Sequence, residues 1–180
     1  MKTTPAGYAA QLAYLLKVHD AIDTLSATVE HIQSIQRQLD ERVSQTASAS
    51  YATKVSDAAK ALRAKLEAVR AELVEVNSHV DEITLIYPVK IYNQLLTLNA
   101  MAQMSDDPPT AGMVVSYDDL TKQMAVQREK LSGIEKAELA AFNGMMVELK
   151  ATAVRSQNCG HESELRSGVQ SPEGDSRNRR

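Results

Sequence analysis

The chain has 180 residues, a formal net charge of −3 and 43% hydrophobic residues, with no Trp and a single Phe. This length suits one domain, with or without a tail, and a second globular domain is not expected. Aliphatic side chains must fill most of the core, a composition that suits helices packed against helices. The weak negative charge provides no field that attracts phosphates, so we expect no nucleic-acid partner.

The sequence shows no targeting or membrane signal. Its one cysteine, Cys159, cannot form an internal disulfide, which is compatible with a reducing compartment. The residues before the amphipathic pattern contain no apolar segment of the kind found in secretory signals. No stretch approaches the run of roughly 18 apolar residues that a transmembrane helix needs. We therefore expect a soluble protein without a membrane span, cytoplasmic by default.

A heptad pattern predicts a long first helix. Thr4 followed by Pro5 provides an N-cap and a proline at the first helical position, and a Ser/Thr/Ala-rich turn follows at 44–50. Polar Gln11 and Gln36 interrupt an otherwise apolar seam. The seam residues are Tyr8, Leu15, Ile22, Val29 and Val43 at one position, and Val18, Leu25, Ile32 and Leu39 at the other.

A second helix repeats this pattern without a polar interruption. Its seam residues are Val55, Leu62, Val69, Val76 and Ile83, alternating with Ala59, Leu66, Leu73, Val80 and Tyr87. Pro88 predicts that the helix ends near Ile86 or bends there. At 1.5 Å per residue, each of the first two helices would be on the order of 50 Å long. The short turn between them predicts that they lie antiparallel.

A short third helix and a long fourth helix complete the predicted domain. The third extends from Ile91 to Ala102 and stops at the two prolines of the segment 105–110. The fourth begins at Thr110 or Ser116 and contains two interior glycines, at 133 and 144, which predict a close helix crossing. The polar residues 155–180 are typical of a disordered tail.

These elements predict an all-α fold. We expect residues 1–154 to form an antiparallel helical bundle of three long helices and one short helix, of the four-helix, up-down type. Residues 155–180 are expected to form a disordered C-terminal tail.

One region resembles a known family. Residues 87–98 read YPVKIYNQLLTL, and SDDPPT at 105–110 and YDDL at 117–120 follow. This region, most specifically about residues 87–135, is similar to the helical C-terminal region of bacterial sortilin-like BNR-repeat proteins, often labelled glycosyl hydrolases. Those proteins carry a large β-propeller, whose Ser-x-Asp-x-Gly-x-Thr-Trp box cannot occur in a chain without Trp. The resemblance therefore implies an accessory or interaction bundle, as a fragment or a stand-alone relative, and assigns hydrolytic chemistry to no residue here.

The residue types that bind metals or catalyse reactions are scattered. His19 and His31 would lie about 18 Å apart on one helix, too far to share a metal ion. His79 shares a helix face with Glu75 and Glu82, but this set lies off the seam, and a solvated charged face is the favoured interpretation. Cys159 with His161 is too small a set for a closed site, and no glycine motif for nucleotides or hydrolases occurs. We predict no catalytic residue, no metal and no cofactor.

The predicted function is that of a non-enzymatic interaction or accessory module, with a protein or a second copy of the chain as partner. The methionines after residue 100 could line an adaptable groove for a partner, although filling of the core is the favoured interpretation of methionines in a helical protein. One alternative is a self-associating structural coiled coil. Another is a small-molecule-binding bundle, with Gln11, Gln36 and Asn99 as polar groups near the core. The predicted partner-binding residues are Tyr87, Tyr92, Gln94, Met101, Met104 and Met113.

Overall fold

A computed structural model of the chain describes residues 4–75 and 89–156. All regular structure in these two ranges is helical, which confirms the predicted all-α class. A π-helical turn, Glu135–Leu139, joins the last two helices, so that residues 111–148 are helical without a break. The helices are α1 (Pro5–Gln45), α2 (Ala52–Leu73), α3 (Ile91–Gln103), α4 (Ala111–Ile134) and α5 (Ala140–Glu148).

The start of α1 is the one predicted from the sequence. The Thr4 hydroxyl accepts a 3.1 Å hydrogen bond from the backbone N–H of Gly7, and Pro5 occupies the first turn. This cap satisfies a helix donor that would otherwise lack a partner. Most seam residues are buried or half-buried, whereas Tyr8 is exposed.

The end of α2 differs from the prediction. The helix ends at Leu73, not near Ile86, and the next residue, Val74, has an extended backbone with φ −135° and ψ 152°. Val74 is β-branched, and such residues propagate a helix less well than straight-chain residues do. The later part of the predicted seam, Val76 to Tyr87, and Pro88 lie outside the described residues. Upstream, the seam is buried as expected at Val55, Ala59, Leu62, Leu66, Val69 and Leu73.

Side-chain pairs show that α1 and α2 lie antiparallel. Gln36 of α1 donates a 3.1 Å hydrogen bond to Glu67, and Asp40, four residues later, pairs with Arg63, four residues earlier. Residue numbers therefore increase along α1 in the direction in which they decrease along α2. The two helices are antiparallel, as the short turn between them predicted.

The third helix follows α2 along the side of α1. Its first end lies near the end of α2, where the Lys90 ammonium is 3.8 Å from the Glu72 carboxylate. Its last turn lies near the start of α1, where Gln11 Nε2 donates a 2.8 Å hydrogen bond to the Ala102 carbonyl. Thus α2 and α3 are both antiparallel to α1. The second helix packs on the later part of α1, and α3 packs on its earlier part.

The fourth helix runs in the same direction as α1. Its early residue Tyr117 donates a 3.1 Å hydrogen bond to the Lys17 carbonyl, and Glu135, beyond its end, pairs with His31. Of the helices described, two are therefore long: α1 and the stretch formed by α4, the π-turn and α5. The expected third long helix is instead the 22-residue α2.

The two interior glycines do not mark a close helix crossing, so that expectation is wrong. Within the described structure, a Cβ built on Gly133 or Gly144 would meet no neighbouring atom within 4 Å. Both glycines are exposed, so neither position requires the absence of a side chain.

After α5 the chain turns back onto the preceding helices. Asn143 binds the backbone of Val154 twice, donating to its carbonyl at 2.9 Å and accepting from its N–H at 2.8 Å. Val154 is buried among the core side chains as a result. The described structure therefore includes residues up to Ser156, two beyond the predicted domain boundary; residues 157–180 of the predicted tail lie outside the described ranges.

Candidate functional site

Exposed apolar side chains are concentrated at one end of the described structure. Eleven large hydrophobic residues are exposed in the described ranges, and seven of these belong to the first half of α1, the end of α3 and the start of α4. We call these seven residues the apolar end. They are Tyr8, Leu12, Leu16, Met101, Met104, Val114 and Val115.

Two hydrogen bonds from one side chain, one half-buried and the other exposed, bring α1 and the end of α3 together. The Gln11 side-chain amide donates to the carbonyl of Ala102, at 2.8 Å, and also to the carbonyl of Ser105. These carbonyls lie at the C-terminus of α3, where helix acceptors have no partner within the helix. Gln11 thus fixes the end of α3, where Met101 and Met104 lie, beside the first turns of α1, where Tyr8 and Leu12 lie.

A tyrosine pair attaches the start of α4 to the same region. The Tyr14 hydroxyl donates a 2.9 Å hydrogen bond to the Met113 carbonyl, while Tyr117 donates to Lys17 at 3.1 Å. The two rings meet edge to face, with centroids 5.9 Å apart and planes inclined by 65°. This is a favoured geometry for an aromatic pair. The apolar end is therefore built on three helix segments that are held by specific bonds.

The environment of this tyrosine pair favours the neutral phenols. Burial raises the pKa of Tyr14, and the neighbouring Tyr117 and Asp118 add to the effect. Burial likewise raises the pKa of Tyr117, with Asp20 and Asp118 contributing. Both hydroxyls therefore stay protonated, and remain hydrogen-bond donors, at neutral pH.

Several side chains of the apolar end are more than half exposed to solvent. Met104 is 86% exposed, Val115 59% and Leu12 58%, although each could be buried by a partner. Single exposed apolar residues are common, whereas a group of them in one region is typical of a protein-binding surface. The rest of the described structure carries four such residues: Val89, Leu96, Val126 and Val147.

The predicted partner-binding residues do not form one group. Met101 and Met104 lie in the apolar end, whereas Met113 is buried beneath it. Tyr92 is half-buried at the opposite end of α3, and Gln94 Nε2 donates a 2.8 Å hydrogen bond to the Val89 carbonyl. Tyr87 lies outside the described residues.

Sequence reasoning missed the contribution of α1 and α4. Leu12 and Leu16 lie four residues apart and outside the heptad seam, so they form a second apolar stripe on the helix. That spacing was the available signal, since a stripe that the seam does not use must face solvent or a partner. Val114 and Val115 carry no comparable pattern.

The candidate reactive groups occupy separate places. His19 forms an exposed pair with Asp23 at 3.1 Å, four residues along α1. His31 forms a half-buried pair with Glu135 of the π-turn, whose carboxylate also accepts from Ser156 at 3.4 Å. The ranges 4–75 and 89–156 contain no group of three His, Cys, Asp or Glu residues placed to hold a metal ion. His79, Cys159 and His161 fall outside those ranges.

Comparisons with protein-family models, curated proteins and solved structures give no match to this chain. In the part of the chain that the structure describes, no helix is both long enough and apolar enough for a membrane span.

Proposed function

We propose that the helices form a single antiparallel bundle that acts as a non-enzymatic interaction module, and that the apolar end binds another protein. In this bundle α2 and α3 are antiparallel to α1 and to the helical stretch from α4 to α5. The resemblance to helical regions that accompany β-propellers is compatible with such a role, and it remains an expectation.

One observation carries this proposal. Seven exposed apolar side chains belong to three helix segments that Gln11 and Tyr14 join at one end. Burying an apolar side chain of this size against a partner contributes on the order of 1.5 to 3 kcal/mol, so a few such side chains provide substantial binding energy. Hydrogen bonds from the joining residues hold the surface in shape before a partner arrives, which lowers the cost of binding.

In-cell photocrosslinking tests the proposal. A photoreactive phenylalanine analogue replaces Met104 or Leu12 in the apolar end, or Val147, which is 67% exposed near the end of α5 and serves as the matched control. Irradiation should give one defined product from each of the first two positions and none from the third. Mass spectrometry then identifies the captured protein.

The size of the crosslinked product separates the two kinds of partner. A product of twice the 19.7 kDa chain mass would identify a second copy as the partner, and light scattering should then show a dimer. A product of another mass would identify a different protein. The same products from all three positions, or none from Met104 and Leu12, would contradict the proposal.

A further inference from the structure

An exposed stripe of side chains extends along one face of α1. Its residues are spaced three or four apart, so they lie on the same side of the helix. At 1.5 Å per residue, the stripe is about 33 Å long. All of its side chains are exposed except Ala27, which is half-buried. We call it the outer stripe, and it consists of Tyr8, Leu12, Leu16, Asp20, Asp23, Ala27 and Glu30.

The outer stripe changes from apolar to acidic along its length. Its first three residues belong to the apolar end, and its later part carries three carboxylates and no cation. Lys17, the one Lys or Arg between residues 8 and 30, lies about 100° around the helix from the preceding residue. Asp20 and Glu30 form no ion pair among the described residues, and Asp23 faces the exposed His19 at 3.1 Å. An exposed pair of this kind contributes little, so the stripe presents uncompensated negative charge beside apolar surface.

The three carboxylates line a single hollow in the surface. The hollow has a volume of about 490 Å³, and Thr24, Ser26 and Ala27 complete its described lining. These three side chains are short, so the hollow leaves room for the long side chain of a Lys or an Arg. Ammonium and guanidinium groups form strong, charge-assisted hydrogen bonds with carboxylates. The acidic half of the stripe is therefore complementary in shape and charge to basic side chains.

We propose that the outer stripe binds an amphipathic helix of a different protein, with apolar residues along one half of its contact face and Lys or Arg along the other half. This inference rests on the proposed function, because the apolar half of the stripe is part of the apolar end. The apolar side chains of the partner cover Tyr8, Leu12 and Leu16, and its cations enter the acidic hollow. Residues three and four apart on the two helices then face each other along the full contact.

The outer stripe of a second copy of the chain does not provide this complement. If two copies paired through parallel α1 helices, the carboxylates of one stripe would face those of the other. If the helices were antiparallel, the carboxylates of each copy would lie against Tyr8, Leu12 and Leu16 of the other. The first arrangement places like charges together, and the second removes charges from water without a partner. The charge pattern therefore favours a basic partner over self-association through this face.

Titration of the full chain into fluorescently labelled synthetic peptides, followed by anisotropy, tests the inference. The basic peptide, a helix of about 25 residues, has leucines along the first half of one face and lysines along the second half. The acidic peptide has Glu in place of each Lys, and the dispersed peptide has the same composition with Leu and Lys distributed around the helix. We expect the basic peptide to bind about tenfold more tightly than either of the others. Its affinity should fall at about 0.5 M salt, because exposed charges are screened.

A pair of double variants assigns the charge contacts. Asp20→Asn/Glu30→Gln should weaken binding of the basic peptide about fivefold and should reduce its salt dependence. Asp57→Asn/Glu129→Gln makes the same chemical changes at two exposed acids of α2 and α4, outside the stripe, and should bind as the wild type does. Circular dichroism of each variant verifies that it folds.

Failure of this inference differs from failure of the proposed function. No binding of the basic peptide, equal binding of all three peptides, or equal loss of affinity in the two double variants would overturn the inference. A defined crosslinked product from Leu12 and Met104 would leave the proposed function intact in each of these cases. A crosslinked product of twice the chain mass would also overturn the inference, because it would identify a second copy as the partner. The absence of any crosslinked product from Leu12 and Met104 would contradict the proposed function itself.

Discussion

The Tyr14 hydroxyl lies 2.9 Å from the Met113 carbonyl and donates a hydrogen bond to it across 99 residues of chain. Tyr14 is 5% exposed, and Met113 lies in the first turn of α4, where the Thr110 cap also binds its N–H at 3.2 Å. This one contact sets where α4 begins relative to α1. Together with Gln11 it determines which apolar side chains meet at the apolar end.

Replacing Tyr14 with Phe should lower the free energy of unfolding by about 1 kcal/mol, because the ring remains but the hydrogen bond is lost. Urea unfolding followed by circular dichroism measures the change. The matched control is Tyr8→Phe, since Tyr8 is 48% exposed, and it should change stability by less than about 0.5 kcal/mol. Equal effects of the two substitutions would contradict the structure.

The stability of the fold should decrease in alkaline solution because of the tyrosine pair. The folded state raises the pKa of Tyr14 and of Tyr117, whereas in the unfolded chain both phenols ionise near the ordinary value of about 10. The two neutral phenols therefore contribute fully to the free energy of unfolding below a pH of about 10. This contribution is lost as the pH rises through the raised pKa values of the folded state. Urea midpoints measured from pH 8 to 11 should fall more steeply in the wild type than in Tyr14→Phe/Tyr117→Phe. Identical slopes would exclude this linkage.

The sequence predicts a helix well where a local signal, such as a cap or a heptad seam, specifies it. The Thr4 cap and the heptad seam specify α1, and the same seam specifies α2 as far as Leu73. At Val74 the backbone is extended although the apolar pattern continues in the sequence, because periodicity describes which face is apolar and not where the backbone leaves the helix. The positions of α3 and α4 on α1 involve the contacts of Gln11 and Tyr14, whose partners lie far along the chain and have no local signature.

The candidate surfaces are harder to predict than the helices, because contacts between residues far apart along the chain have no local sequence signature. A methionine-rich stretch indicates Met101 and Met104, but Leu12 and Val115 join them only through tertiary packing. Gln127 carries no sequence signal, because an amide at one seam-like position is indistinguishable from a register-setting residue such as Gln36. The structure distinguishes the two side chains. The Gln36 amide donates a 3.1 Å hydrogen bond to Glu67, whereas the side-chain oxygen of Gln127 has no hydrogen-bond partner in the described residues.

Gln127→Leu should stabilise the fold. The substitution removes a buried acceptor that costs about 1 to 3 kcal/mol when unsatisfied and replaces it with apolar volume. We expect the free energy of unfolding, measured with urea, to rise by about 1 kcal/mol or more. Gln123→Leu, on the exposed face one turn earlier, provides the control and should change little. A loss of stability in Gln127→Leu would show that the amide is satisfied in solution.

Alanine at the interior glycines should also stabilise the fold. Because space is open around a Cβ at Gly133 and at Gly144, each substitution should raise the unfolding free energy by up to about 1 kcal/mol through helix propensity alone. Gly112→Ala serves as the comparison, since it lies in the first turn of α4 and its Cβ would approach Thr110 Oγ1 at 3.9 Å. A destabilised Gly133→Ala or Gly144→Ala would reveal a close packing partner at that position.

Methyl NMR of the full chain with the photocrosslinked protein tests the binding surface most directly. Titration of that protein should shift or broaden the methyl signals of Leu12, Met104 and Val115 first, because these side chains belong to the apolar end. The signals of Val147 and Val126 should stay in place. Perturbation centred on Val147 or Val126, with Leu12 and Met104 unchanged, would show that the apolar end is not the binding surface.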